Sequence, residues 1–286
     1  MDTPIGDWPS VFGQSLSGRC RGILDFVMER GAVPVEELVK TFSLSQASVN
    51  RDLMALSVQG LIRRTGKKIT ALPGLGVAAS VTYRSRQAVA RKTAIAALAT
   101  SLISPGETLA FDDSTTARCV GTSLTDIAPL AIVTNSLGLG LHLGQSETIT
   151  FVGLGGHYLP AFDAFVGMIC EQAIHSMRID TAFVSAAAID GLTAFHQSED
   201  VTRVKRALME TADRRVLLVD SGKFGRTAMC RFATLAEFDV VITDDGLDPQ
   251  LADLLRDAGV PLWLAPVAPA TDHTGAIVGR EHPHGS

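Results

Sequence analysis

The chain has 286 residues, 46% of them hydrophobic and 19% charged, with a net charge of −5. That balance suits a globular protein with a substantial core and excludes an intrinsically disordered chain. No apolar run reaches the roughly 18 residues of a membrane span, and Met1-Asp2-Thr3-Pro4 has neither the basic start nor the apolar core of an export signal, so a cytoplasmic location is expected.

Charge is unevenly spread. Residues 1–72 hold 9 Lys/Arg and 7 Asp/Glu, whereas residues 73–286 hold 16 and 23. A mildly basic head on an acidic body fits a nucleic-acid-binding module joined to a separate sensor. Cys20, Cys119, Cys170 and Cys230 lie far apart, without a Cys-x-x-Cys pair or zinc-ligand spacing. They read as reduced, mostly buried thiols, and no metal or cofactor is implied.

The first periodic block, residues 15–29, places Ile23 and Val27 on one helical face, widened by Leu24 and Phe26. Gly31 ends it. Pro34 suits the first turn of a second helix, with Glu36 and Glu37 at its positive end and Leu38, Val39 and Phe42 on its buried side. Ser45 is a good N-cap for a third helix over residues 45–56. Its Val49, Leu53 and Leu56 form one apolar stripe, and Gly60 stops it. Leu61-Ile62-Arg63-Arg64, a turn at Thr65-Gly66-Lys67, and Lys68-Ile69-Thr70 then read as a hairpin. Three short helices and a basic hairpin make a winged helix-turn-helix pattern, assigned to residues 15–72. Residues 73–85 read as a linker.

In such a module the third helix lies in the major groove, N-terminal end first. Ser45 opens it, and Gln46, Ser48 and Asn50 face outward with Arg51 beside them. Gln and Asn can pair bidentately with adenine, and Ser and Arg can serve base or phosphate. Arg63, Arg64, Lys67 and Lys68 put cations on the hairpin, where phosphate or minor-groove contact is the natural use. Each residue alone is more simply a solvated surface group. The order of three helices, a cap and a basic hairpin favours DNA reading.

A helical block over residues 86–103 ends at Pro105-Gly106. Beyond it, short apolar runs at 108–111, 131–134, 148–152, 181–184, 216–219, 240–243 and 261–264 suit strands buried on both faces. Helical stretches at 116–124, 164–176, 200–212 and 249–257 lie between them. This alternation predicts a doubly wound, mostly parallel α/β domain over residues 86–265, followed by a flexible tail at 266–286. In such sheets ligands sit outside the carboxyl ends of the strands. The loops there carry Asp112, Asp113, Ser114, Thr115 and Thr116, then Asn135, Gly155 and Gly156, Asp190, and Asp220 with Lys223. Hydroxyls and backbone N–H groups suit a phosphate, Lys223 and Lys205 supply point charges, and Asp and Asn suit sugar hydroxyls. The same residues also favour caps and turns. Gly153-Leu154-Gly155-Gly156 lacks the spacing of a dinucleotide fingerprint.

The ordered motifs have a family resemblance. Ser45-Gln46-Ala47-Ser48-Val49-Asn50-Arg51-Asp52-Leu53 resembles the Ser-x-x-Thr-Ile-Arg-Arg-Asp-Leu segment of DeoR-family bacterial regulators, with Asn50 in an arginine's place. The wing has Gly66-Lys67-Lys68 where that family has Gly-Gly. Lys92-Thr93-Ala94-Ile95-Ala96, Thr134-Asn135-Ser136, Val204 to Met209 and Asp220 to Gly225 are similar to its sensor motifs. Asp112 to Thr116 matches its Asp-Ser-Gly-Thr-Thr loop, with Asp113 and Ser114 in the Ser and Gly places. The resemblance covers about residues 20–264. It implies an effector domain related to ribose-phosphate isomerases, a phosphorylated sugar or sugar-derived effector, and a homo-oligomer (dimer or tetramer) on double-stranded operator DNA. A repressor of carbohydrate catabolism is therefore expected. The alternative is a sugar-phosphate isomerase with an accessory head, for which Asp112, Asp113, Asp190 and Asp220 are candidate bases. The isomerases' Asp-Gly-Ala-Asp segment and Gly-rich approach to a Glu-Lys pair are absent, so no enzyme is expected.

Overall fold

The computed structural model describes residues 17–30, 32–58, 62–71, 81–124, 127 and 129–268. Its head comprises α1 (Gly18–Arg30), β1 (Ala32–Pro34), α2 (Val35–Thr41), α3 (Gln46–Val58), β2 (Ile62–Thr65) and β3 (Lys68–Ala71). Ile23, Leu24 and Val27 from α1, Leu38 from α2 and Val49, Leu53 and Leu56 from α3 meet over Ile62 and Ile69 of the hairpin. Burying an aliphatic side chain of this size stabilises by about 1.5–3 kcal/mol, so these apolar stripes suffice to orient three short helices. Ser45 Oγ accepts the Ser48 N–H at 3.2 Å and caps α3, as its sequence position predicts.

Two features of the head differ from the sequence reading. Residues 32–34 pair with β3, giving a three-stranded antiparallel sheet in the order β1-β3-β2. A three-residue strand is too short to show a period of two. Pro34 therefore ends β1 and stands at the N-cap of α2, one residue before the expected first turn. Gly60, Leu61 and the greater part of the expected linker and tail lie outside the described residues. Residues 81–85, read as linker, belong to helix α4 (Val81–Arg86).

Asp52 is buried on α3, and Arg19 donates to both its oxygens at 2.6 and 2.9 Å. The Arg19 hydrogen bond holds the Asp52 carboxyl below the usual carboxylate range against the opposing effect of burial. The folded pKa lies below the unfolded one, so this pair's stabilisation is present above about pH 4 and lost as pH falls through the depressed value. Asp52→Ala is expected to destabilise the head by about 1–3 kcal/mol at pH 7. An unchanged urea midpoint would show that the pair contributes nothing.

The second part is built on one seven-stranded sheet. Its elements are α4 (Val81–Arg86), α5 (Val89–Thr100), β4 (Thr108–Phe111), α6 (Thr115–Gly121), β5 (Leu130–Thr134), α7 (Leu137–Leu143), β6 (Ile149–Gly153), β7 (His157–Leu159), β8 (Ala164–Val166), α8 (Met168–His175), β9 (Ile179–Val184), β10 (Ala188–Asp190), β11 (Thr193–His196), α9 (Glu199–Thr211), β12 (Ala212–Leu218), β13 (Cys230–Thr234), β14 (Val240–Asp244), α10 (Pro249–Asp257) and β15 (Leu262–Ala265). The sheet order is β15-β14-β12-β9-β4-β5-β6, and every neighbouring pair is parallel. All seven expected strands are in it.

Side chains alternate between the two faces as the pleat requires. Leu109 and Phe111 join α5, α6 and α7 in one core, while Ala110 joins α8, α9 and α10 in the other. The strand order runs outward from β4 in one direction and from β9 in the other. The switch point therefore lies between β4 and β9, where Phe111 and Phe183 stack with ring centroids 5.0 Å apart. Ligands of doubly wound sheets bind at such a crevice.

Short elements account for the remaining differences. The stretch 164–176, expected as one helix, splits into β8 and α8 at Gly167, whose φ is 92°. Helix α7 has the sequence LGLGLHL, whose glycines disfavour helix. They are there for close packing: a Cβ at Gly138 would lie 2.6 Å from the Arg118 guanidinium, and one at Gly140 would lie 2.7 Å from the Phe151 ring. The helical block 86–103 is broken at Ala88, whose φ is 50°. The Lys92 ammonium donates back to the Arg84 carbonyl across this break.

Candidate nucleic-acid interface and effector site

On α3, Gln46 and Arg51 are exposed, and Ser48 and Asn50 are half-buried. Arg63, Arg64, Lys67 and Lys68 are exposed on the β2–β3 hairpin. The hairpin is tied to the helix, because Arg64 Nη1 donates to Asn50 Oδ1 and Arg64 Nε to the Gly66 carbonyl, both at 3.2 Å. A bidentate adenine contact needs Oδ1 and Nδ2 of Asn50 together. Arg64 must share or release Oδ1 for that contact to form. Ser45 is occupied as the cap, with its Oγ 3.0 Å from that of Ser48. Lys67 stands 3.6 Å from Glu36 in an exposed pair, which contributes little.

The sensor-side residues converge on the switch point. Asp112 follows β4 and accepts the N–H of Ser185, after β9, at 2.7 Å and that of Ser114 at 2.9 Å. Lys205, projecting from α9, donates to Asp112 Oδ2 and lies 3.3 Å from Asp113 Oδ1, and all three side chains are buried. Burial alone would lower the Lys205 pKa, but Asp112 and Asp113 outweigh it and raise it. Ser114 has an extended backbone (φ −70°, ψ 147°) and caps α6 by accepting the Ala117 N–H at 3.0 Å. Its position therefore does not require the family's glycine. Thr115 and Thr116 are buried in the first turn of α6, and Asn135 is buried after β5.

A cationic group adjoins these carboxylates. Arg84 lies within electrostatic reach of Asp113, Asp112, Arg118 and Asp163, and its guanidinium stands 5.5 Å from the Phe162 ring centroid. Burial holds the Lys92 ammonium down to about 8, opposed by nearby Asp220 and reinforced by Lys223 and Arg84. Burial also lowers the Lys223 pKa, with Asp220 opposing. The single 3₁₀ turn carrying Lys223 is anchored by Asp244, which accepts the Ser221 N–H at 2.7 Å and its hydroxyl at 2.8 Å. Arg118 donates to Asp163 at 2.6 Å and to Ser136 at 3.1 Å. His196 packs against Phe162 and is pushed down to about 3 by burial and by Lys205, so it stands there neutral.

The structure thus brings Asp112, Asp113, Lys205, Asp220 and Lys223 into one neighbourhood. Gly155 and Gly156 follow β6 at the sheet edge, two strands from β4. A Cβ at Gly156 would meet the Val166 carbonyl at 2.5 Å, so close packing there requires glycine. Asp190 is exposed at the end of β10, in the small β10-β11-β13 sheet. Sequence reasoning missed Arg84, Lys92, Arg118 and His196 as neighbours of the site. Arg84 fell in the expected linker. Arg118 was legible as a cation one turn into the helix that the hydroxyl loop opens.

Among the described residues no cluster of His, Cys, Asp and Glu could hold a metal ion, and no helix is long and apolar enough to cross a membrane. The four cysteines are free, two buried and two half-buried.

Residues 19–66 match the model of the DeoR-like helix-turn-helix domain, and residues 87–245 match that of the DeoR C terminal sensor domain. The chain belongs to the DeoR family of transcriptional regulators. It is 32% identical over 249 residues to the glycerol-3-phosphate regulon repressor of Escherichia coli K12, covering 86% of this chain and 98% of that one. It is 31% identical over 243 residues to the uncharacterized HTH-type regulator YgbI of the same organism, covering 85% and 95%. Among solved structures, ribose 5-phosphate isomerase A of Methanocaldococcus jannaschii is 18% identical and covers 46% of this chain and 53% of its own, with a TM-score of 0.35. That partial likeness leaves this DeoR sensor to be described by its own strand order. The protein is a regulator with a DNA-binding head and an effector sensor, and its relatives are regulators rather than isomerases.

Proposed function

We propose that this DeoR regulator is a cytoplasmic repressor of carbohydrate-catabolism genes, released from its operator by a phosphorylated sugar. The observation that carries the reading is the group of Arg84, Lys92, Lys205 and Lys223 beside Asp112, Asp113 and Asp220 at the switch point. Lys205 and Arg84 offset Asp112 and Asp113, which leaves Lys92 and Lys223 as the cationic end that suits a phosphate, and carboxylates and Asn135 suit hydroxyls. A relative named for a glycerol-3-phosphate regulon supports a small phosphorylated effector. The head, residues 15–72, reads the operator through Gln46, Ser48, Asn50 and Arg51, with the cations of the wing on phosphates. Residues 86–265 form the sensor, and the protein acts as a homo-oligomer with paired heads. Helix α4, next along the chain after the head, carries Arg84 to the site and is the natural route between the two. A switch requires that the effector bind the two states with different affinities.

Thermal-shift screening of the full chain against sugar phosphates tests this, because a ligand at 100 times its Kd stabilises the native state by about 2.7 kcal/mol. The hits should then release promoter DNA in a gel-shift assay. A flat response across pentose, hexose and triose phosphates would overturn the reading.

Lys92 adds a pH signature. Its ammonium binds an anion only while protonated, and its pKa in the folded chain is about 8. Effector affinity should therefore fall as pH rises from 7.5 to 9.5, whereas an ordinary lysine at about 10.4 would hold its charge over most of that range. Calorimetry at three pH values checks it, and a flat profile would remove Lys92 from the binding group.

A further inference from the structure

Two buried acceptors stand at the carboxyl ends of adjacent strands. Asp113 is 1% exposed, and while its Oδ1 faces Lys205, its Oδ2 has no hydrogen-bond partner among the described residues. Asn135 is 0% exposed, and its Oδ1 is likewise unpartnered. The Asn135 orientation is set by its Nδ2, which donates to the Phe165 carbonyl at 3.0 Å, so the free atom is the oxygen. A buried acceptor without a donor costs free energy and needs an explanation. With Phe111 opposite Thr134, Asn135 follows its strand by one residue and Asp113 by two. Adjacent strands run about 4.8 Å apart, so the two strand ends lie within the reach of one polyol chain. The cations Lys92 and Lys223 lie on other elements, α5 and the turn after β12.

We infer that Asp113, together with Asn135, selects the effector by accepting hydrogen bonds from two hydroxyls of a polyol chain whose anionic end sits on the Lys92 and Lys223 side. Lys205 and Arg84 already balance the charges of Asp112 and Asp113, which favours neutral hydroxyl donors over an ammonium. Asp113 stands where the family pattern has serine, so this carboxylate is a feature of this chain's own selectivity. The inference rests on the sugar-phosphate reading and adds which atoms discriminate.

The test measures binding to the full chain by thermal shift and calorimetry. The probes are glycerol 3-phosphate, ribitol 5-phosphate and glucitol 6-phosphate, each against the alkyl phosphate of equal carbon number, with inorganic phosphate as the anion alone. The wild type should prefer at least one polyol phosphate over its alkyl partner by about tenfold or more, since a site built for hydroxyls penalises their loss. Asp113→Ser should reduce that preference to within about threefold while leaving the response to inorganic phosphate in place. Asp113→Leu, which keeps the approximate shape and removes the acceptor, serves if the serine variant does not fold, and the wild-type comparison needs no variant. Equal binding of polyol and alkyl phosphates, or a preference that survives at position 113, overturns this inference and leaves the sugar-phosphate reading standing. No response of the wild type to any of these probes overturns this inference, whereas the sugar-phosphate reading falls only if the pentose, hexose and triose phosphates are silent as well.

Discussion

Lys205→Met is expected to destabilise the sensor by about 3–5 kcal/mol. Lys205 lies between Asp112 and Asp113, and the three side chains are at most 2% exposed. Its removal leaves two buried carboxylates with Arg84 alone as a nearby counter-charge, and methionine supplies the bulk of the lysine stem but no donor. Asp112 keeps the Ser185 and Ser114 N–H groups, so most of the loss falls on Asp113. Equilibrium urea unfolding of the variant gives the magnitude. Adding Asp113→Ser to Lys205→Met should recover part of it, because the least compensated charge then disappears. A loss below about 1 kcal/mol would mean that the carboxylates take up protons or water at little cost, contrary to a dry ionic cluster.

Arg51→Ala is expected to weaken operator binding about 5- to 150-fold, the effect of about 1–3 kcal/mol for an arginine reading a base edge. Arg51 is exposed on α3 beside Asn50, whereas the neighbouring Asp52 and Leu53 are buried, so the substitution leaves the core intact. Arg64→Ala should behave differently. It removes one cation, lowering the salt slope of binding by about 1, and it frees Asn50 Oδ1 from its intramolecular bond. Base preference near Asn50 should therefore change more than affinity does. Fluorescence anisotropy with duplexes from the adjoining promoter region, at several salt concentrations, separates the two. Wild-type affinity for Arg51→Ala at physiological salt would sink this docking of α3.

The DNA-reading head was legible because its signals are local. A cap at Ser45, a stripe at Val49, Leu53 and Leu56, and a basic hairpin each occupy a few consecutive residues. The seven main strands were legible for the same reason: burial on both faces makes each a short apolar run. What escaped was either short or set by distant partners. Three-residue β1 has no period to display. Helix α7 hides behind glycines whose need is seen only when Arg118 and Phe151 are in place. Helix α4 is only six residues long, and the break after it rests on Ala88 in a left-handed conformation that no local residue announces.

The recognition helix and the effector loops divide in the same way. Sequence alone determined that residues 45–56 form a capped, outward-facing helix and that the hydroxyls, carboxylates and lysines of the loops lie at strand ends. Those properties depend on hydrogen bonds and periodicities within one or two turns. Only the tertiary structure decided which strand ends adjoin. Crossovers of dozens of residues bring β9 beside β4 and carry Lys205 93 residues back to Asp112. Tertiary structure also decided that Arg64 holds Asn50, that position 156 has no room for a side chain, and that Arg84 enters the cationic group. Each of these depends on contacts between separate elements, and for the Lys205 and Arg84 cluster burial and counter-charge set both the pairing and the cost of breaking it.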